Sequence, residues 1–183
     1  MNLPAQLPRT IALALLVAIL VVVVTRSARA AERVGTYDSR AVAFAAFWDE
    51  ANHARLVATI QAAREAQARG DTARHRSLAS QLAARQHQLH MQVFSTAPVD
   101  DVLASLGDRL PELRRAAGVV RLVSQWDAAA LARVPAADRV DMTDRLIAEF
   151  HVPAAQLKVL AALRAAPPMP RWKVWFLSKL DLV

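Results

Sequence analysis

The chain contains no cysteine, only four glycines, one tyrosine and no uninterrupted apolar run long enough to span a bilayer as a single helix. Without cysteine there is neither a disulfide framework nor thiol chemistry, although export is not excluded. So little glycine leaves no Gly-rich phosphate loop and few sharp turns, and with abundant alanine it points to helix. Acids are also scarce, 16 against 23 Lys and Arg, and almost all of the cations are Arg. They are scattered, with no carboxylate pair spaced for acid–base work and no Ser-His-Asp order, so the sequence offers no catalytic set and reads as a non-enzyme.

What is present begins with residues 11–24, IALALLVAILVVVV, preceded by Arg9 and followed by Ala28-Arg29-Ala30. A spanning helix needs about 20 apolar residues, so 14 suit the core of a signal peptide released after Ala30. Arg26 and Arg29 lie between that core and the cleavage site, which favours the alternative of an uncleaved N-terminal anchor in the inner membrane. Either reading puts residues 31–183 in the periplasm or cell envelope. Without residues 1–30 the formal charge falls from +7 to +4, enough for acidic proteins or anionic head groups. It is too weak for nucleic acid without a basic-aromatic motif.

RVGTYDSRAV (33–42) predicts a short strand over 33–38 running into a helix capped by Asp38 or Ser39. Residues 40–69 contain neither Gly nor Pro and predict a continuous helix of about 45 Å. Gly70 stops it, and Asp71 or Thr72 caps a return helix over 73–94, an antiparallel hairpin arm. Leu56, Ile60 and Ala63 on one helix and Leu78, Leu82, Leu89 and Val93 on the other form a single apolar seam, with Ala63 facing Leu78 and Ile60 facing Leu82. A hairpin dry on one seam only should protrude.

Beyond Pro98, short helices are expected at 99–106 and 111–117. The runs 119–124 and 129–134 predict a β-hairpin, and DMTDRLIAEF (141–150) a helix capped by Asp141. A helix from Pro153 to Arg164, a Pro-rich linker over 166–170 and an apolar, cationic tail over 171–183 complete the chain. The fold class is α+β, mostly α: a long helical hairpin (40–94) on a small β-strand body (99–150), with a C-terminal extension over 151–183.

Two stretches, RVGTYDSRAV and GVVRLVSQWDAAALARVPAADRVDMTDRLIAEF (118–150), resemble the opening strand and the closing strand pair with its Asp-x-Thr-Asp helix in the Skp/OmpH family of periplasmic chaperones. They bracket the arm, so the resemblance covers most of residues 33–150, while the extension has no counterpart. The resemblance implies a trimer whose strands form a shared body and whose arms hold unfolded outer-membrane proteins, without a cofactor. A membrane-tethered interaction protein using the hairpin as a spacer is the alternative.

Three groups of residues carry candidate sites. Arg64, Arg69, Arg74 and Arg76 crowd the hairpin tip and can bind clients electrostatically, or simply solubilise it. His87 and His90, at i and i+3, with His53 and Glu50 across the hairpin, are weak metal candidates, the basis of a third reading as an envelope metal sensor. Trp48, Trp126, Trp172 and Trp175 read first as packing residues, and Trp172 and Trp175, with Lys173, are alternatively candidates for a membrane-surface contact.

Overall fold

The computed structural model describes residues 32–179. The expected signal or anchor therefore lies outside the described residues, as does the end of the tail.

The first strand, β1 (Val34–Tyr37), is the middle of a three-stranded sheet. β2 (Arg121–Ser124) lies on one side and β3 (Arg139–Asp141) on the other, both parallel to it. The register pairs Val34 with Arg121 and with Arg139. The expected β-hairpin over 119–134 is corrected here: 119–124 supplies a strand, but Ala128–Leu131 is a helical turn, α6. Asp127 decides this, because its side chain accepts from the backbone N–H of Ala130 at 2.9 Å and caps an alanine run that prefers helix. Arg139 seals the other end by donating to the Leu131 and Val134 carbonyls. The third strand is the short segment Arg139–Asp141, which pairs with β1 and offers only one apolar residue to a periodicity reading.

Side chains of Leu122, Met142 and Val119 cover the sheet face onto which a side chain at position 35 would project. A Cβ on Gly35 would lie 2.5 Å from a Leu122 methyl and 2.8 Å from Met142 Cγ, and Met142 is fully buried. Gly35→Ala should therefore cost about 1–3 kcal/mol through overpacking, read as a lower urea midpoint at unchanged slope. An unaltered midpoint would mean that the sheet is looser than described.

Helix α1 (Ser39–Trp48) buries every residue from Ser39 to Ala46 and is the centre of the core. Around it pack Val93, Val99, Leu103, Met142, Leu146, Phe150 and Leu160. The continuous rod expected over 40–69 is broken at Asp49, whose backbone is extended (φ −55°, ψ 131°). Its carboxylate accepts from the N–H of Asn52 at 3.1 Å to start α2 (Glu50–Ala68), and from the N–H of His151 at 3.1 Å. A short polar side chain that can bond the backbone locally makes a break as effectively as glycine.

α2 and α3 (Thr72–Phe94) form the hairpin. The turn is a Schellman motif at Gly70 (φ +70°), with Gly70 N–H bonded to the Gln67 carbonyl and Asp71 N–H to the Ala66 carbonyl. Asp71 then accepts from the N–H of Arg74 at 3.0 Å and caps α3. Ala63 and Ala66 are buried in the seam near the turn, where small side chains let the helices approach. His75 Nδ1 donates to the Ala63 carbonyl at 3.1 Å.

Short helices α4 (Asp100–Ala104) and α5 (Arg109–Ala117) lead back to the sheet. After β3, helix α7 covers Thr143–Ile147. Asp141 is not its N-cap but the last residue of β3, and its side chain accepts from the N–H of Thr143 at 2.8 Å. α8 (Ala154–Ala165) packs on α1. The tail over 171–179 is a helix, α9 (Arg171–Lys179), and it lies along α3 rather than hanging free.

Candidate functional site

The hairpin base holds a groove of about 590 Å³. Its floor is apolar: Leu56 and Ile60 from α2, Leu82 and Leu89 from α3, Phe47 from α1 and Val102 from α4. The break at Asp49 creates it, because α2 leaves the axis of α1 there instead of continuing along the core.

Several polar groups that line it are committed to one another or to backbone carbonyls. Gln92, buried, donates to the Pro98 carbonyl at 3.0 Å and to Asp101 Oδ1 at 2.7 Å. Gln88 donates to Asp101 Oδ2 at 2.9 Å, and Asn52 to the Ala46 carbonyl at 2.8 Å. What remains to a ligand is apolar surface rimmed by Arg85 and Gln86. Such a surface accepts hydrophobic side chains with little demand on their identity.

Arg64, Arg69, Arg74 and Arg76 are all exposed at the far end of the hairpin. Arg69 pairs with Glu65 at 3.8 Å, an exposed i,i+4 contact that contributes little.

The histidines are engaged separately. His53 stacks on Trp48, with ring centroids 5.3 Å apart and planes 18° from parallel. His87 Nδ1 lies 3.3 Å from Ser178 Oγ on α9, and His90 packs its ring against Phe94. Among the described residues no three His, Cys, Asp or Glu side chains are arranged to hold a metal ion.

A second constellation went unnoticed in the sequence apart from its cap. At the carboxyl end of the sheet, Asp38 accepts from the N–H of Arg40 (3.0 Å) and Ala41 (3.4 Å) and from the indole N–H of Trp126 (2.9 Å). Arg40, 1% exposed, places its guanidinium 3.5 Å from Asp38 Oδ2 and 4.6 Å from the Trp126 ring centroid. It also donates to the Ala166 carbonyl at 2.9 Å. Thr143 Oγ1 accepts from the Asp38 N–H at 3.0 Å, and Ser124 donates to Ser39 at 3.1 Å. Carboxyl ends of parallel strands are common ligand sites. Here Asp38 and Arg40 are buried and the groups bond largely to each other, with Arg40 Nε left without a hydrogen-bond partner, so the cluster joins the end of β1 to the residues that follow β2 and β3 and to the C-terminal extension.

No family model, curated protein or solved structure matches the chain. Its function is therefore argued from its own surfaces, of which the groove and the hairpin carry the most.

The remaining candidates, Trp172, Lys173 and Trp175, are exposed on α9. No helix among the described residues is long and apolar enough to cross a membrane.

Proposed function

We propose that the chain is a Skp/OmpH-like holdase or scaffold of the cell envelope, reached through the N-terminal leader, that binds unfolded or outer-membrane proteins along its hairpin. The observation that carries this reading is the groove at the hairpin base, with an apolar floor and polar groups already paired. It holds side chains by burial, a non-directional interaction that tolerates many sequences. The exposed Arg tip adds long-range attraction to acidic segments, which raises encounter rates without fixing one partner.

Self-association belongs to the same proposal, with a trimer as the expected state. β2 and β3 are the outer strands of a sheet of three, and unpaired edges of this kind are satisfied by strands of other copies.

The test is suppression of aggregation of a denatured outer-membrane protein diluted from urea, with particle mass measured by light scattering. Ile60→Ser/Leu82→Ser should weaken protection roughly tenfold, as expected for truncated anchors in a binding groove. Replacing Arg64, Arg69, Arg74 and Arg76 by Ser should remove the salt dependence and leave the particle mass unchanged. A monomer at micromolar concentration, or full protection by both variants, would replace this reading with that of a membrane-tethered spacer.

A further inference from the structure

We propose that α9 is a membrane-surface anchor that lays its aromatic face on an anionic bilayer. The helix packs on α3 through one side only, where Val174 is fully buried and Leu177 and Ser178 are half-buried. Trp172, Trp175, Phe176 and Lys179 follow at steps of three, one and three residues, which places them together on the side opposite Val174. Trp172 is 71% exposed, Phe176 53% and Trp175 51%, an unusual cost for three large aromatics on one short helix.

The charges identify what covers this face. Arg171 and Lys173 are exposed and flank the aromatic stripe on its two sides, Lys179 Nζ lies 5.8 Å from the Trp175 ring centroid, and α9 contains no acid. Amphipathic aromatics between cations match the bilayer interface, where indole rings sit at head-group depth and the cations meet lipid phosphate. The packing on α3 supplies the order that a nine-residue segment would lack alone. Arg171–Lys179 thus binds lipid in the plane of the surface, independently of any client held in the groove.

The full chain is mixed with vesicles of phosphatidylcholine and phosphatidylglycerol whose acyl chains are brominated, and tryptophan emission is followed. Residues 1–30 contain no tryptophan, so insertion of the leader alone does not produce the signal. Quenching is expected in the parent and should disappear in Trp172→Ser/Trp175→Ser, whose thermal midpoint should stay unchanged because both side chains are exposed. Lys173→Glu/Lys179→Glu, which keeps both indoles, should bind roughly tenfold more weakly, as should the parent on pure phosphatidylcholine. Absence of quenching in the parent overturns the proposal. So does quenching that survives the double Ser variant, or concentration-dependent shielding of the indoles without lipid, which would assign the face to a second copy of the chain.

Discussion

Asp38→Ala should lower the unfolding free energy by about 3–5 kcal/mol, the range for removing one partner of a buried ion pair. Asp38 is 3% exposed and Arg40 1% exposed, so the guanidinium left behind has no water to turn to. Its remaining partners would be the Ala166 carbonyl and the face of Trp126. The substitution also strips the cap from α1 and leaves the Trp126 indole N–H without its acceptor. Asp38→Asn keeps an oxygen where Oδ1 accepts from both the cap N–H groups and the indole, loses the charge beside Arg40, and should fall between Ala and the parent. Adding Arg40→Met to Asp38→Asn removes the stranded charge and should recover part of the loss. Urea unfolding of the four proteins decides the matter: a loss below about 1 kcal/mol in Asp38→Ala is the size of a surface pair and would refute burial of the cluster.

That cluster also marks what the sequence could not disclose. The α+β class and the helical hairpin were legible because they rest on local signals: alanine-rich periodicity, Gly70 followed by an Asp71 cap, and the Pro98 stop. The break at Asp49 was not, because the residue that makes it is neither Gly nor Pro. The groove follows from that break, so Leu56, Ile60, Leu82 and Leu89 were legible as a seam, while Phe47, Val102 and the opening between them were not. β3 escaped for a different reason. Its three residues become a strand only because Val34 and Thr36 offer an unpaired edge more than 100 residues earlier, and pairing of that range leaves no periodicity in the segment itself. Long separation along the chain likewise hides Arg40, Trp126 and Ala166 from one another. Of the functional candidates, the exposure of the Arg tip was readable from charge alone. The shared outer face of Trp172, Trp175 and Phe176 required knowing which side of α9 Val174 docks.

Tyr37 provides a second large effect, in alkali. It ends β1, is 6% exposed, and has its phenol pushed up to about 12, first by burial and then by the negative charge of Asp100. In an unfolded chain the phenol ionises near 10. Below pH 10 both states keep the proton and the folded state has its full stability. Between about pH 10 and 12 the unfolded chain releases the proton while the folded chain retains it, so the folded state binds more protons and stability falls as pH rises. Two units correspond to about 2–3 kcal/mol lost by pH 12. Other effects of alkali are shared by both proteins, so the informative quantity is the difference between the parent and Tyr37→Phe. The two should be within about 1 kcal/mol of each other at neutral pH, and the Phe variant should gain on the parent by about 2–3 kcal/mol as pH approaches 12. Tyr37 is the only tyrosine, so phenolate absorbance reports this one group directly. Its midpoint should lie near 12 in the folded protein and near 10 in urea. A folded midpoint near 10 would mean that water reaches the end of β1, and that the sheet's carboxyl edge is open to ligands after all.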